Sequence, residues 1–489
     1  MNAGSEQAVL GIDLGSSEVK VGIFALDGRA LGTGYTACAM ERPAPGRSEQ
    51  DPERWWAAVV EATRSALEQA GPSIRPLAIA AVAQGPTTLS VDERGRPVRP
   101  AIGWMDARAN AERAALEDEL GIDAWRLGTL PHERWLRGHE PGPYRRARWF
   151  LTAWDWLGLR LSGAAAASTQ AGQSALSAEA IRAAGSDPAQ HPPAAPQGNL
   201  LGELGAGAAA QLGLTAGLPV VAGTNDGLAS LLGGGMLEPG DAIDTGGTSG
   251  GFAVVWGAVP EGLSAEIWPA VVPGRWVLGG AMSSTGKALD WLAGLLGPEP
   301  GDVTALVREA LATAPGADGL VFLPYLAGER SPIWDDRARG VFAGLRLEHG
   351  RGHLARAVLE SAALAVRHVA EPIRARGVDV REMRVSGRSA KSVELAQLKA
   401  DVTGLEVAVP RVSESAALGA AILAAVGVGA YPDLPAAMRG MCSVVAHLRP
   451  REELRPLYTE LYEIYRELYP ATAPLVHRLA RLDTKETPA

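Results

Sequence analysis

The stretch Ile12-Asp13-Leu14-Gly15-Ser16-Ser17 decides the fold predicted for the first half of this 489-residue chain. It joins an apolar strand to a second one, Val21-Gly22-Ile23-Phe24, through a glycine turn that carries two hydroxyls. A tight glycine hairpin directs backbone N–H groups and hydroxyls toward an anion, as phosphate-binding nests do. The stretch therefore predicts a β-hairpin whose turn, followed closely by Lys20, binds phosphate.

A second turn of the same kind lies about half a chain length later. It has the sequence Thr245-Gly246-Gly247-Thr248-Ser249-Gly250 and leads into the apolar strand Phe252-Ala253-Val254-Val255. Two such turns, one in each half, predict a two-lobed protein that holds a polyphosphate. Strands and helices alternate in both halves, which predicts an α/β fold with a duplicated architecture.

Length and composition narrow the class of protein. The chain is longer than the roughly 250–300 residues at which a single core stops growing, so we expect two large domains. Its formal net charge is −9 with no basic block, which argues against nucleic acid as a partner. Two cysteines make neither a disulfide framework nor a zinc cluster. We see no signal peptide and no apolar run of membrane-spanning length, and therefore expect a cytoplasmic protein without a membrane partner.

Periodicity predicts several helices with one apolar side. They cover about 51–70, 144–163, 353–376 and 451–469, and the first has Asp51 as N-cap followed by Pro52. The segment 185–199 is rich in Pro, Ala and Gly and is predicted to be a loop.

Asp13 is the first candidate for chemistry. A carboxylate two residues before a phosphate turn is well placed to hold a divalent cation, directly or through water. The alternative is a strand-end Asp that caps its own turn. Asp244 occupies a related place before the second turn, but when the glycines are aligned Thr245 stands opposite Asp13. We therefore assign no metal to Asp244.

Asp226 is the second candidate. It follows the strand Pro219–Ala222 inside a glycine-bounded loop, and binding sites of open α/β sheets gather at such strand ends. An Asp there can act as general base toward a substrate hydroxyl. The alternative is an ordinary helix N-cap.

Three further clusters have residue types that suit a ligand. Trp104, Asp106 and Arg108 could bind a polyol by stacking and hydrogen bonding, or could form a surface turn with an ion pair and a buried Trp. The loop 328–335 could brace a cleft or touch ligand, and the turn 386–392 opens a helix and could lie against a nucleotide. Either loop could equally be a connection.

With these motifs in one order, the chain resembles the FGGY carbohydrate kinases, and among them the xylulokinase branch, over nearly its whole length. The resemblance is carried by the motifs Gly11–Ser17 with Lys20, Ser48–Glu53 with Trp55-Trp56, Arg99–Ile102 with Trp104, Asp106 and Arg108, Ala222–Gly227, Gly247–Ser249, Leu323–Pro332, Arg356–Glu360 and Ala400–Gly404.

The resemblance implies two actin-like, ribonuclease-H-like domains of the sugar kinase, heat-shock ATPase and actin superfamily, with an interdomain cleft. It implies a sugar-binding N-terminal domain over 7–238 and an ATP-binding C-terminal domain over 239–489. The cofactors implied are ATP and Mg²⁺, the partner is a small-molecule sugar, and a homodimer is possible.

The resemblance also assigns roles to individual residues. Asp226 corresponds to the catalytic base and Asp13 to the acid near magnesium. The implied substrate-binding residues are Gln84, Gly85, Pro86, Trp104, Asp106, Arg108, Asn225 and Asp226. The implied nucleotide-binding residues are Gly15, Ser16, Ser17, Lys20, Gly247, Thr248, Ser249, Gly286, Gly387, Arg388, Ser389, Ala390 and Ser392.

Two departures from the family pattern bear on specificity. Gly85-Pro86 follows Gln84 where xylulokinases usually have Met-His. This difference puts the identity of the sugar substrate in question. Arg388-Ser389 stands in a loop that is usually Gly-Gly-Gly-Ala. Three consequences are open: the loop is reshaped, Arg388 stacks on the nucleotide base, or the preference for the nucleotide is altered.

We expect an ATP-dependent kinase of a ketose or polyol, with D-xylulose as the first choice of substrate. The alternatives are ribulose, gluconate or a tetritol as substrate, a weakly catalytic nucleotide-binding regulator, and an actin-like filament or chaperone ATPase.

Overall fold

The computed structural model describes residues 5–44, 46–122, 126–169, 176–247, 249–263, 265–270, 274–296 and 303–483. The chain divides into two compact units. The first consists of Met1–Gly235 with Glu414–Ser443, and the second of Met236–Ser413 with Val444–Ala489. The segment 414–443, placed in the C-terminal domain by the sequence reasoning, thus belongs to the first unit.

The first unit holds a six-stranded sheet, a four-stranded sheet and a strand pair. Its strands are β1 (Glu6–Leu14), β2 (Glu18–Ala25), β3 (Ala30–Ala37), β4 (Glu49–Gln50), β5 (Ile74–Ala83), β6 (Thr88–Val91), β7 (Ala101–Ile102), β8 (Trp149–Thr152), β9 (Ala167–Thr169), β10 (Ala194–Pro196), β11 (Leu200–Glu203) and β12 (Pro219–Val221). Its helices are α1 (Pro52–Ala70), α2 (Asn110–Leu120), α3 (Leu130–His139), α4 (Pro141–Arg146), α5 (Ala153–Ser162), α6 (Ala178–Ala183), α7 (Ala206–Leu212) and α8 (Asp226–Gly233).

The second unit is built round a seven-stranded sheet and one further strand pair. Its strands are β13 (Asp241–Asp244), β14 (Gly251–Trp256), β15 (Glu266–Pro269), β16 (Trp276–Ala281), β17 (Val321–Leu323), β18 (Val341–Ala343), β19 (Glu382–Val385), β20 (Val407–Pro410) and β21 (Val444–Leu448). The remaining helices are α9 (Lys287–Leu296), α10 (Val303–Ala312), α11 (Arg351–Arg374), α12 (Val393–Thr403), α13 (Ser415–Gly427), α14 (Leu434–Met441) and α15 (Arg455–Asp483). Of these, α13 and α14 belong to the first unit.

The two main sheets share one topology. In the first, the order is β11-β12-β5-β1-β2-β3, in which β1, β2 and β3 are antiparallel neighbours and β5 runs parallel to both β1 and β12. In the second, the order is β15-β16-β14-β13-β19-β20-β21, in which β13 pairs antiparallel with β14 and parallel with β19. The predicted α/β fold and its duplicated architecture are confirmed at this level.

Small residues explain why α13 joins the first unit. A Cβ on Gly11 of β1 would lie 1.9 Å from the backbone oxygen of Ala417, and one on Gly419 would lie 1.9 Å from that of Ala229 in α8. Only glycine lets the helix backbone come so near to both elements. Helix α13 therefore packs directly against β1, which carries Asp13, and α8, which carries Asp226.

Most of the predicted elements are confirmed, and two predictions are wrong. Helix α1 begins after Asp51, whose carboxylate accepts a hydrogen bond from the Glu53 amide over 2.9 Å. The predicted helix 144–163 is instead the end of α4, then strand β8, then α5, because residues 149–152 pair antiparallel with β6 and Thr152 caps α5. The predicted loop 185–199 contains β10, which pairs parallel with β9.

The C-terminal helix α15 is longer than predicted and is anchored by tyrosines. The Tyr458 hydroxyl donates to Glu360 over 2.7 Å and accepts from Arg356 over 3.0 Å. The Tyr469 hydroxyl donates to Asp335 over 2.7 Å. Among the described residues, no helix is both long enough and apolar enough to cross a membrane.

Candidate active site

The first glycine turn joins β1 to β2 and places Asp13 opposite Lys20. The two residues are direct partners in the strand register, and the Gly15 amide closes the turn on the Glu18 carbonyl over 3.0 Å. Lys20 Nζ lies 3.9 Å from Asp13 Oδ2 and 3.9 Å from Glu414 Oε2, at the start of α13. The ammonium of Lys20 therefore forms ion pairs with two buried carboxylates, those of Asp13 and Glu414.

Asp13 is a buried carboxylate with unmet bonding capacity. Within the described residues, its Oδ1 atom has no hydrogen-bond partner. Burial raises the pKa of Asp13 most, Lys20 lowers it, and repulsion from Asp226 and Glu414 raises it further, to about 7. Burial would lower the pKa of Lys20, but the same carboxylates raise it, so Lys20 stays a cation.

Asp226 is the first residue of α8. The N-cap is Asn225, whose Oδ1 accepts from the Gly227 amide over 2.9 Å, so the N-cap alternative considered for Asp226 belongs to its neighbour. The Asp226 carboxylate is half-buried, and its Oδ1 also lies 2.8 Å from the Gly227 amide. Burial raises the pKa of Asp226, and the Gly227 amide and Lys20 offset this only in part.

The loop Gln84–Pro86 lies beside these carboxylates. The Gln84 amide donates to the Leu14 carbonyl over 2.8 Å, and Asn225 Nδ2 donates to the Gly85 carbonyl over 3.4 Å. Gln84 Nε2 donates to Gln50 over 2.5 Å, while its Oε1 is buried without a hydrogen-bond partner in the described part of the chain. The loop therefore presents an amide oxygen and backbone close to Asp13 and Asp226.

Trp104 connects the cluster of Trp104, Asp106 and Arg108 to the first glycine turn. Its indole Nε1 donates to Ser16 Oγ over 3.0 Å, and the ring is half-buried. Gln50 Nε2 also donates to the Ser16 carbonyl, over 3.3 Å. The structure thus brings together two motifs that lie 88 residues apart in sequence.

Asp106 and Arg108 form a buried brace below Trp104. Asp106 accepts from Arg108 Nε over 2.8 Å and from the Ser48 amide over 2.6 Å, and Arg108 Nη2 also reaches Glu49 over 2.6 Å. Burial would raise the pKa of Asp106, but these hydrogen bonds outweigh it and lower that pKa. These hydrogen bonds fix the loop, while Arg108 Nη1 is buried without a hydrogen-bond partner in the described part of the chain and remains a donor for a ligand.

In the second unit, the turn after β13 lies against the turn after β19. Gly246 and Gly247 have φ angles of 57° and 77°, which side-chain-bearing residues rarely adopt. A Cβ on Gly246 would lie 2.8 Å from the Ser386 carbonyl oxygen, and Ser386 Oγ donates to the Thr245 carbonyl over 2.8 Å. Thr248, a predicted phosphate contact, lies outside the described residues.

A third segment, 282–287, contacts the same turn. Thr285 Oγ1 donates to the Ser249 carbonyl over 2.6 Å, immediately before Gly286 and α9. Glu329 fixes this segment through hydrogen bonds: its Oε1 accepts from the Ser283 amide over 2.7 Å and from the Arg330 amide over 2.8 Å. Burial raises the pKa of Glu329 to about 7 despite these amides.

The loop Gly387–Lys391 forms a single 3-10 turn. Arg388 pairs with Asp290 of α9 over 2.8 Å on the surface, and Ser389 and Ala390 are half-buried. Ser392 caps α12 by accepting from the Leu395 amide over 3.2 Å. The loop is thus fastened to α9 by a side chain that the family pattern lacks.

Asp244 has a partner other than a metal. Lys399 Nζ of α12 lies 2.7 Å from its Oδ2, and both side chains are buried. Among the described residues, no group of three or more His, Cys, Asp or Glu side chains is arranged to hold a metal ion.

Two family models match this chain. The N-terminal domain of the FGGY family of carbohydrate kinases matches residues 8–233, and the C-terminal domain matches residues 245–428. The chain belongs to the FGGY family of carbohydrate kinases.

Individual relatives of this FGGY kinase agree with the family match. The chain is 32% identical to a xylulose kinase from Escherichia coli, over 96% of this chain and 99% of that protein. It is 28% identical to a gluconokinase from Bacillus subtilis over 94% of each, and 30% identical to a glycerol kinase from Aromatoleum aromaticum over 92% and 95%. The crystal structure of a xylulose kinase from Rhodospirillum rubrum superposes with a TM-score of 0.76 at 30% identity, covering 96% and 100%.

These comparisons confirm the predicted family, the two-domain actin-like fold and the enzyme class. The FGGY kinase is an ATP-dependent carbohydrate kinase. Sequence reasoning gave no role to Glu414 or Gln50, and considered Glu329 only as part of the loop 328–335. Glu414 lies 394 positions from Lys20, and no local pattern joins them. Gln50 and Glu329 lie inside the motifs quoted for the resemblance, and their hydrogen bonds appear only in the structure.

Proposed function

We propose that this FGGY kinase transfers the γ-phosphoryl group of ATP to a hydroxyl of D-xylulose and forms D-xylulose 5-phosphate. The Escherichia coli and Rhodospirillum rubrum relatives that carry the name xylulose kinase support this substrate. The observation that supports phosphoryl transfer is the cluster of Asp226, Asp13 and Lys20 beside the glycine turn of the first unit.

Asp226 is the proposed general base. A base works best when its pKa lies near the operating pH, and burial moves the pKa of Asp226 upward in that direction. Its carboxylate accepts the proton of the sugar hydroxyl as that oxygen attacks the γ-phosphorus, and ADP leaves. Asn225 and the Gly227 amide fix its position at the start of α8.

Magnesium fits the residues present at Asp13. Its buried Oδ1 has no hydrogen-bond partner in the described chain, and proteins usually bind Mg²⁺ through one or two carboxylates together with substrate phosphates. When bound, the ion offsets phosphate charge. Lys20 adds a fixed positive charge beside the turn, and Ser16 and Ser17 offer donors to phosphate oxygens.

The nucleotide is proposed to bind the second unit. Gly247, Thr248, Ser249, Gly286 and the loop 387–392 are the proposed contacts. Hydrogen bonds from Thr285 to Ser249 and from Ser386 to Thr245 join the segments that carry them. In the first unit, Gln84, Trp104 and Asn225 are the proposed sugar contacts, with Asp106 and Arg108 as the brace beneath them. Because phosphoryl transfer needs little covalent help from the protein, such positioning is its main contribution.

A second substrate class is favoured by the loop after Gln84. A Cβ on Gly85 would lie 2.5 Å from the Trp154 ring, so this position packs against Trp154 and offers no side chain to a sugar. Kinases named for gluconate and glycerol are also among the relatives. Gluconate, ribulose or a tetritol is the corresponding alternative.

A coupled assay of ADP release across ketoses, polyols and sugar acids tests the substrate. We expect the highest kcat/KM with D-xylulose. A higher value with gluconate or a tetritol would overturn D-xylulose while leaving the kinase chemistry in place. Tight ATP binding with no turnover on any member would instead support a regulator.

A further inference from the structure

The indole ring of Trp154 packs directly against the backbone of Gly85. A Cβ on Gly85 would lie 2.5 Å from Cζ3 and 3.2 Å from Cη2 of that ring, and real Cβ atoms do not come within 3.0 Å of another heavy atom. The ring therefore requires glycine at position 85 and occupies the space that a side chain there would take. The next residue, Pro86, adds neither a polar side-chain atom nor an N–H group.

This contact lies beside the proposed catalytic base. Asn225 Nδ2 donates to the Gly85 carbonyl over 3.4 Å, and Asn225 immediately precedes Asp226. Ala83 and Asn225 also form a parallel β-bridge, so the two chain segments run side by side up to this point. Within the first unit, Gly85 thus has Asn225 at its carbonyl and the Trp154 ring at its α-carbon.

Hydrogen bonds at the start of α5 hold Trp154 in place. Thr152 caps the helix and its Oγ1 donates to Asp155 Oδ2 over 2.6 Å, while Asp155 Oδ1 accepts from the Ser168 amide over 2.8 Å. Thr152 is also the strand partner of Thr88, which lies two residues after Pro86. Because the helix start is tied to the strand that follows the loop, the indole is positioned before any ligand binds.

Three polar atoms round this contact are buried without a hydrogen-bond partner in the described part of the chain. They are Trp154 Nε1, Gln84 Oε1 and Thr87 Oγ1. Folded proteins leave few buried polar groups unpaired, so three on one ring and the adjoining loop indicate a place where a ligand completes the bonding. An indole N–H donates, an amide oxygen accepts and a hydroxyl does both, a set that complements the hydroxyl groups of a sugar.

The charges described at the site favour a neutral acceptor. Lys20 and Arg108 each form ion pairs with two carboxylates of the protein. A sugar acid would bring a further carboxylate to a site whose cations are already matched, and burial of an unpaired charge is costly. The Trp154 ring contributes no charge, and its apolar face suits the C–H bonds of a neutral sugar.

We propose that Trp154 is a specificity-determining residue of the acceptor pocket. Its ring forms one wall of the pocket, its Nε1–H donates to a hydroxyl of a neutral ketose or polyol, and Gly85 leaves the space that the ring occupies. This inference rests on the proposed function and narrows it, because it excludes gluconate and other sugar acids as the preferred acceptor.

Trp154→Phe keeps an aromatic ring and removes the donor. Loss of one hydrogen bond should lower kcat/KM for D-xylulose roughly 2- to 10-fold and leave KM for ATP unchanged. Trp149→Phe is the matched control, because Trp149 pairs with Val91 at the opposite end of β8 from Thr152, and it should behave as wild type. An unchanged kcat/KM in Trp154→Phe would overturn the proposal, since Nε1 would then meet only water.

Deoxy sugars separate a direct contact from a packing defect. Wild type and Trp154→Phe are compared on D-xylulose analogues that each lack one hydroxyl other than the one phosphorylated. For the analogue without the hydroxyl that Nε1 binds, the two proteins should have equal kcat/KM, and the difference should persist with the others. An equal loss on every analogue would show a structural role alone and would overturn the proposal.

Gly85→Ala tests the contact from the other side. In the wild-type background the added methyl group overpacks the ring, and kcat/KM for the sugar should fall roughly 5- to 150-fold. In a Trp154→Ala background, the same change should cause no further loss, because the space is free. Losses that simply multiply would contradict the interlocking of the two residues.

The outcomes of the acceptor panel distinguish this inference from the proposed function. A higher kcat/KM with gluconate than with every neutral sugar would overturn the inference while the kinase chemistry stands. Preference for ribulose or a tetritol would support the inference and overturn D-xylulose as substrate. No sugar-dependent ADP release with any member would overturn both.

Discussion

Trp104 Nε1 donates a hydrogen bond to Ser16 Oγ over 3.0 Å, and this contact ties the loop 104–108 to the first glycine turn within the first unit. The bond fixes the serine hydroxyl and the indole ring at once. Asp106 and Arg108 hold the loop below by a buried ion pair, so the indole is positioned from two sides.

Trp104→Phe keeps an aromatic ring and removes the donor. A hydrogen bond of this kind contributes about 0.5–1.5 kcal/mol, so kcat/KM for the sugar should fall roughly 2- to 10-fold. Steady-state kinetics with varied sugar measure the change. Trp276→Phe, at an exposed tryptophan of the second unit, is the control and should behave as wild type. An unchanged kcat/KM in Trp104→Phe would show that the contact has no part in catalysis.

Asp13→Asn should raise the stability of the free protein while abolishing activity. The pKa of Asp13 is raised from 3.8 to about 7, so its carboxylate binds a proton more readily in the folded state. That stabilisation is full below about pH 4 and is lost as pH rises through about 7. At pH 8, Asp13→Asn should therefore be more stable by roughly 1–3 kcal/mol, with a flatter dependence of Tm between pH 4 and 7. Urea unfolding at several pH values measures this, and an unchanged pH dependence would contradict it.

Glu329→Ala should raise KM for ATP more than KM for the sugar. Its carboxylate fixes the Ser283 amide in the segment that carries Thr285 and Gly286. Loss of one acceptor that binds two partly buried amides costs about 1–3 kcal/mol, which corresponds to roughly 5- to 150-fold. Glu329→Gln retains an acceptor oxygen and should recover most of the affinity. Equal effects on both substrates, or no rescue by Gln, would show a general folding defect instead.

Arg388→Ala should have little effect on nucleotide binding. Arg388 is paired with Asp290, and the two side chains are 44% and 50% exposed, so the ion pair contributes at most about 1 kcal/mol. We expect similar Tm and similar KM for ATP in Arg388→Ala and in Asp290→Ala. A large rise of KM for ATP in Arg388→Ala alone would instead support stacking of this guanidinium on the base.

Lys399→Met should strongly destabilise the second unit. Removal of one partner leaves the Asp244 carboxylate buried and unpaired, which costs about 3–5 kcal/mol. Adding Asp244→Asn to Lys399→Met should restore part of the loss. Chemical denaturation measures both variants, and a single variant as stable as wild type would show that the pair does not contribute to stability.

The local parts of the fold could be predicted from the sequence. The hairpin round Gly15, the Asp51 cap and the strand before Asp226 follow from short patterns whose physics acts within a few residues. Sequence alone predicts one helix over 144–163, because Phe150, Trp154 and Leu157 recur at helical spacing. Only pairing with β6 makes residues 149–152 a strand.

The residues of the candidate site could be predicted only where each lies within a short recognisable motif. Asp13 and Asp226 each stand beside a recognisable turn. Glu414 reaches Lys20 because Gly11 and Gly419 let α13 pack closely on β1 and α8, a packing choice that no local pattern reveals. For Asp106 and Arg108, residue types predicted ligand contacts, which stay a prediction; the buried ion pair between them appears only in the structure.

The most direct test of the central claim is sugar-dependent ADP release by Asp226→Asn. Asp433→Asn is the matched control, because Asp433 caps α14 and asparagine can cap equally well. The proposed mechanism predicts that Asp226→Asn binds ATP normally but loses at least about 100-fold in kcat, while Asp433→Asn keeps wild-type turnover. Full turnover by Asp226→Asn would contradict the assignment of Asp226 as the base.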